Sequence, residues 1–167
     1  MALTVEDGTG IAAANSYVSL AEALAYHTDR GNDTWVAAVS DEVRAGALVR
    51  GAAALDGMYG GRWPGVRYTD LQGLDWPRSG AWDRDGYPLT GVPAKVKAAA
   101  CEAALIELGS AGALSKKSDT GLAELTVGPI TKKWLSGSGV AQTAYPAIKQ
   151  ALARIVRGGG SMTMTRG

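Results

Sequence analysis

Few side chains in this sequence could perform nucleophilic catalysis. Cys101 is the only cysteine and His27 the only histidine among 167 residues, so a Cys-His pair would have to be these two. Both Ser-His-Asp and Cys-His catalysis need a histidine that activates the nucleophile. Cys101 also lies in an alanine-rich segment, which favours a small buried thiol over a reactive one. We therefore expect a protein that is not an enzyme and that uses no cofactor.

Three further segments contain the residue types of ligand sites without their spacing. Asp83, Asp85 and Gly86 resemble the start of a calcium loop, but the further oxygen ligands and the closing glutamate of an EF-hand do not follow. The glycines at Gly8 and Gly57 are not followed by the Gly-Lys-Ser/Thr ending of a phosphate-binding loop. The sequence predicts turns at these places and no metal site.

The segment Trp76-Pro77-Arg78 has two interpretations. Aromatic side chains beside arginine can stack on the bases of single-stranded DNA, and Trp63 and nearby lysines could extend such a platform. Alternatively, Trp76 anchors a long loop to the core while Arg78 pairs with a carboxylate such as Asp75. We favour the structural interpretation, because 17 basic against 16 acidic residues leave a net charge of only +1. Nucleic-acid-binding proteins usually carry a clear excess of positive charge.

The helical pattern predicts a mainly α fold, a small bundle of about four helices with a β-hairpin and a long ordered loop rich in aromatic residues. The helices are expected over residues 20–29, 40–59, 93–109 and 145–157, the loop over 62–91 and the hairpin over 124–134. Ser19 and Glu22 have the spacing of a capping box at the first helix. Arg44 and Arg50 fall off the apolar stripe of the second helix, so we expect them to face water or a neighbouring subunit.

A chain of this size fits one domain, which we place at residues 1–158, followed by a tail at 159–167. No apolar run approaches the roughly 20 residues of a membrane span, and the first residues lack a signal-peptide pattern. We expect synthesis in the cytoplasm of the host cell and no membrane partner.

Five short motifs follow one another along nearly the whole chain. They are Leu3-Thr-Val-Glu-Asp-Gly-Thr-Gly10 with Asn15-Ser-Tyr17, Tyr59-Gly-Gly-Arg-Trp63, Trp76-Pro-Arg78 followed by Asp83-Arg-Asp-Gly-Tyr-Pro88, Val127-Gly-Pro-Ile130, and Tyr145-Pro146. In this order they resemble a family of tailed-phage neck proteins, often labelled DnaT-like single-stranded-DNA-binding proteins and related in fold to head-tail adaptors. One departure is His27, which stands where that resemblance leads us to expect an aromatic residue.

The resemblance implies a structural protein of the virion neck. Its subunits would form a ring, twelve-fold by this resemblance, that docks beneath the portal protein, extends the DNA channel for passing double-stranded DNA and provides a platform for a stopper or tail-completion protein. For the ring contacts we expect Arg44, Arg50, Trp76, Arg78, Trp82 and Trp134, and for the channel lining Lys116, Lys117, Lys132 and Lys133. Portal docking is assigned to Ile155, Arg157, Met162, Met164 and Arg166.

Each of these expectations has an alternative. Four lysines beside a hairpin are also typical of a solvated strand edge that discourages aggregation. The tail alternates apolar and polar residues, which would let it add to a partner as a strand, although alone it should be unstructured. The alternative function is a single-stranded-DNA-binding accessory protein of replication, whose affinity would fall steeply with salt.

Overall fold

In a computed structural model, the protein is described over residues 2–37, 40–115, 124–127, 130–133 and 145–157, with the backbone alone in the two hairpin segments. The elements in chain order are helices α1 (Leu20–Thr28), α2 (Asp33–Val36) and α3 (Asp41–Tyr59), a 3-10 turn at Gly60–Arg62, strands β1 (Val66–Arg67) and β2 (Arg78–Ser79), helix α4 (Ala94–Gly109), strands β3 (Glu124–Val127) and β4 (Ile130–Lys133), and helix α5 (Pro146–Leu152). The predicted mainly helical fold with a hairpin is confirmed.

Helix α1 begins at the predicted capping box. The Ser19 hydroxyl accepts a hydrogen bond from the backbone N–H of Glu22, while the Glu22 carboxylate accepts one from the backbone N–H of Ser19. The four-residue helix α2 was not predicted. It buries Trp35 completely, and the Trp35 ring lies 4.6 Å from the His27 ring, centroid to centroid. His27 thus packs as an aromatic residue would, in the core.

Helices α3 and α4 form the centre of the molecule. Half of their buried residues are alanines, whose small side chains let the two backbones approach closely. At the crossing, a Cβ atom on Gly51 would lie 2.8 Å from the backbone nitrogen of Ala104, so only glycine fits there. Cys101 is buried beside this crossing, and burial raises the pKa of its thiol to about 12. A buried neutral thiol is what the sequence predicted.

The C-terminal helix α5 closes the core against α4. Ile148, Leu152, Ile155 and Val156 are all buried, although the helix proper ends at Leu152 and the last two residues follow in turns. The predicted apolar face is therefore confirmed. Strands β3 and β4 pair antiparallel with Val127 opposite Ile130, which confirms the hairpin around the Gly-Pro turn sequence.

Candidate interaction surface on the long loop

The loop between α3 and α4 is fixed to the core by two tryptophans. Trp76 is completely buried and Trp63 nearly so, and their rings meet edge to face with centroids 5.8 Å apart. Strands β1 and β2 pair across the loop, with Val66 opposite Ser79. The structural interpretation of Trp76 is thereby confirmed, since a fully buried indole has no free face for a DNA base.

Hydrogen bonds from the side chains of Tyr17 and Asp56 hold the same part of the loop. The Tyr17 hydroxyl donates a hydrogen bond to the Asp56 carboxylate, whose other oxygen accepts the backbone N–H of Asp75 at 3.0 Å. The Tyr17 oxygen in turn accepts the backbone N–H of Trp76 at 3.3 Å. Burial raises the pKa of Asp56 to about 6, even though these hydrogen bonds favour its charged form.

The Arg78 side chain forms hydrogen bonds to the loop's backbone. Its guanidinium donates hydrogen bonds to the carbonyl oxygens of Pro64 at 2.7 Å, Gly65 at 2.9 Å and Asp75 at 3.2 Å. The predicted pairing with the Asp75 carboxylate is wrong, because the bond goes to the main-chain oxygen of that residue. The Arg78 side chain thus links the chain segments that precede strands β1 and β2.

The N-terminal segment is organised by a glutamate that the sequence reading missed. Glu6 is buried, and its carboxylate accepts backbone N–H groups from Gly8 and Gly10, both at 2.9 Å, and from Ile11 at 2.8 Å. Gly10 lies against the loop residue Thr69, which places this turn beside the long loop. A glutamate followed by closely spaced glycines was the available signal.

Above these anchors, the loop turns large apolar side chains outward. Trp82 is 56% exposed, and a groove of about 370 Å³ lies between it and Tyr68. We call Trp82, Tyr68 and the groove between them the loop patch. Val66, Leu71 and Tyr87 are further exposed apolar side chains of the same loop. Exposed apolar patches mark protein-binding surfaces more often than isolated exposed residues do. A rigid loop with an apolar outer face is suited to binding another protein surface.

The charges around the loop patch are balanced. The long loop, residues 62–91, holds four arginines and four aspartates, and one of these aspartates, Asp85, pairs with Arg154 at 2.6 Å. A surface that holds a nucleic-acid backbone needs a surplus of cations. The electrostatics therefore favour a protein partner for the loop patch.

Most of the residues predicted for ring contacts are engaged within the chain. Arg44 donates to the carbonyl oxygens of Trp35 at 3.2 Å and Val36 at 2.8 Å, at the end of helix α2, and pairs with Asp41. Arg50 pairs at 3.0 Å with Glu107, a buried carboxylate. Both arginines therefore have partners within the chain, although 41% of the Arg50 side chain remains exposed. A contact of either with a neighbouring subunit stays a prediction.

Trp76 is completely buried, so the assignment of its side chain to a ring contact is corrected in favour of an anchoring role. Arg78 is partly buried and also anchors the loop, and its ring contact stays a prediction. Trp82 alone among the described members of that group presents a large exposed ring. Trp134 lies outside the described residues. Tyr68 and Tyr87 of the same loop are also exposed.

The residues predicted for portal docking and channel lining are only partly described. Ile155 is buried in the core, so its side chain is not available for docking, whereas Arg157 is exposed. Lys132 and Lys133 lie in strand β4, where the backbone alone is described. Outside the described residues lie Lys116, Lys117, Met162, Met164 and Arg166.

Two searches of the described residues bear on other kinds of site. Nowhere in that part of the chain do three or more His, Cys, Asp or Glu side chains come together as they would around a metal ion. None of the helices described there has the length and apolar character to cross a membrane.

Fold and surface together define a small helical domain with a hairpin and a rigid, outward-facing aromatic loop. The whole chain, residues 1–167, matches the sequence model of the family described as "Putative DnaT-like ssDNA binding protein", and the protein belongs to this family. No curated protein and no solved structure shows a significant match to the chain.

Proposed function

We propose that this protein is a structural adaptor of the neck of a tailed bacteriophage. In the virion, its subunits form a ring beneath the portal, extend the DNA channel and provide the platform for a stopper or tail-completion protein. The observation that carries this proposal is the loop patch, an exposed apolar surface on a loop that buried tryptophans hold rigid. Preorganised surfaces lose little conformational entropy when they bind.

A ring of subunits can use a small contact surface of this kind many times. Each subunit contact is small, but once neighbours are in place every further contact forms at high effective concentration. Trp82 and Tyr68 are the side chains we assign to this contact, because they flank the groove and remain exposed in the single chain. The motif order from Leu3 to Pro146 supports the adaptor function through its resemblance to neck proteins.

The second candidate function is single-stranded DNA binding, which the family description favours. Three of the residues first considered for it do not support it, and the side chains of the four lysines lie outside the described structure. Trp63 and Trp76 are buried, and Arg78 donates its hydrogen bonds to backbone carbonyl oxygens. Stacking on a DNA base needs an exposed aromatic face, which neither of these tryptophans has. For the loop we therefore prefer the adaptor.

Co-assembly with the portal protein of the same genome tests the proposal. The full chain and a variant truncated after Gly158 are each mixed with purified portal protein and imaged by electron microscopy. The adaptor proposal predicts rings stacked on the portal for the full chain, and their loss on truncation would assign docking to the tail. If no complex forms while the protein binds a single-stranded oligonucleotide with a steep salt dependence, the adaptor proposal is wrong.

A further inference from the structure

A second cavity, of about 380 Å³, lies where the end of helix α3 meets the C-terminal helix. One wall is apolar and is formed by Leu152, Ala153 and Val156, next to the Tyr59 ring. The remaining lining residues are all cationic: Arg62, Arg84, Lys149 and Arg157. We call this the basic cavity, and none of its lining residues is acidic.

The cations of the basic cavity come from three separate segments that the backbone ties together. The backbone N–H of Arg157 donates to the carbonyl oxygen of Arg62 at 3.0 Å, which joins the chain after α5 to the 3-10 turn. The backbone N–H of Arg84 donates to the carbonyl oxygen of Arg154 at 2.9 Å, which joins the long loop to the same place. The backbone therefore holds together the segments that carry these positive charges.

These charges are not neutralised within the described part of the chain. No carboxylate there forms an ion pair with any of the four cations, and the neighbouring Asp85 is already paired with Arg154. The Arg62 guanidinium lies over the Tyr59 ring, 4.7 Å from its centroid, and its Nε atom is buried without a hydrogen-bond partner. The cavity is therefore lined by four positive charges that have no carboxylate partner among the described residues.

We propose that the basic cavity binds a phosphate group, carried either by a free nucleotide or diphosphate or by a nucleic-acid strand. Guanidinium groups match phosphate oxygens with paired hydrogen bonds, and several cations around one cavity suit a group with more than one negative charge. The volume is within the range of small-molecule sites, and the apolar wall can pack against a sugar or a base. This goes beyond the proposed adaptor function, which does not depend on such a site.

The test measures binding of two phosphate probes and one carboxylate probe to the full chain. Inorganic pyrophosphate and a short oligodeoxythymidylate are titrated by calorimetry, with hexaglutamate for comparison. The test variant is Arg84→Gln with Lys149→Gln, because both side chains are exposed and their loss leaves the core intact. The matched control is Arg67→Gln with Lys95→Gln, which removes the same charge from exposed positions outside the basic cavity.

Binding of either phosphate probe, weakened about tenfold or more in the test variant and unchanged in the control, supports the proposal. Binding of pyrophosphate alone assigns a free phosphate ligand, whereas binding of the oligonucleotide alone assigns a strand. For the strand, the salt dependence should also fall by about 1.4 in log-log slope, since two phosphate contacts are lost. The proposal is overturned if neither probe binds, if both variants weaken binding equally, or if hexaglutamate binds as tightly with the same dependence on the test variant.

Discussion

Removal of the Trp76 indole should destabilise the protein far more than removal of the Trp82 indole. Trp76 is completely buried against Trp63, whereas Trp82 is 56% exposed. A buried tryptophan removes roughly 200 Å² from water, worth about 5 kcal/mol at about 25 cal/mol per Å², and this area-based figure is an upper bound. Since Trp→Ala changes in cores typically cost about 3–5 kcal/mol, we expect about 4 kcal/mol for Trp76→Ala. For Trp82→Ala we expect about 1 to 2 kcal/mol, because less than half of its surface is buried.

Urea denaturation followed by far-ultraviolet circular dichroism measures both free energies of unfolding without relying on tryptophan fluorescence. The dichroism signal reports the helices, which neither substitution touches directly. The reasoning is refuted if Trp76→Ala costs less than about 1 kcal/mol, or if Trp82→Ala is the more destabilising of the two. Either result would mean that Trp76 does not anchor the loop as its burial indicates.

Three further predictions concern the core and its buried carboxylates. Gly51→Ala should destabilise the protein by about 1–3 kcal/mol, because the added Cβ would meet the Ala104 backbone. In the control Gly57→Ala, on the same helix, the added Cβ meets nothing within 4 Å, so this change should stabilise the protein by about 0.5–1 kcal/mol. Equal shifts in the thermal unfolding temperature of the two variants would contradict the close helix crossing at Gly51. Glu6→Gln should lower the free energy of unfolding by about 2 kcal/mol or more, because an amide NH₂ would face some of the backbone N–H groups that now donate to the carboxylate. An unchanged midpoint of chemical denaturation would show that Glu6 does not hold the N-terminal turn. Burial raises the pKa of Asp56 from 3.8 to about 6, so the folded state holds its proton more tightly than the unfolded state; this stabilising contribution is complete below about pH 4 and is lost as the pH rises through 6. Relative to Asp56→Asn, the wild type should therefore lose about 3 kcal/mol of stability between pH 4 and 7, and parallel pH profiles for the two proteins would contradict the shift.

The helices could be predicted because their signals are local. Ser19 with Glu22 forms a capping box, Ser40 caps α3, and Pro146 opens α5, and each signal depends on residues within one turn. The helix α2 was missed because four residues are too short to show a helical period. Its stability comes from the burial of Trp35 and from Arg44, which binds its last carbonyl oxygens from outside.

The surface features were harder to predict from the sequence than the helices. Trp76 and Trp82 are both tryptophans of one irregular loop, and only the folded chain shows that one is buried and the other exposed. The basic cavity combines Arg62, Arg84 and Lys149 from distant parts of the chain, so no spacing could reveal it. Arg50 was read as a surface residue because its partner, the buried Glu107, lies on another helix. Long-range partners of this kind leave no periodic signal.

The adaptor proposal is tested most directly by what contacts the loop patch in the assembled ring. A cryo-electron microscopy reconstruction of the protein assembled on its portal would show this directly, at a resolution where the Trp82 and Tyr68 side chains are visible. The account predicts a closed ring in which Trp82 of each subunit is buried against the neighbouring copy. A portal complex in which Trp82 remains exposed would contradict the role of the loop patch, and failure to form any ring would contradict the adaptor function itself.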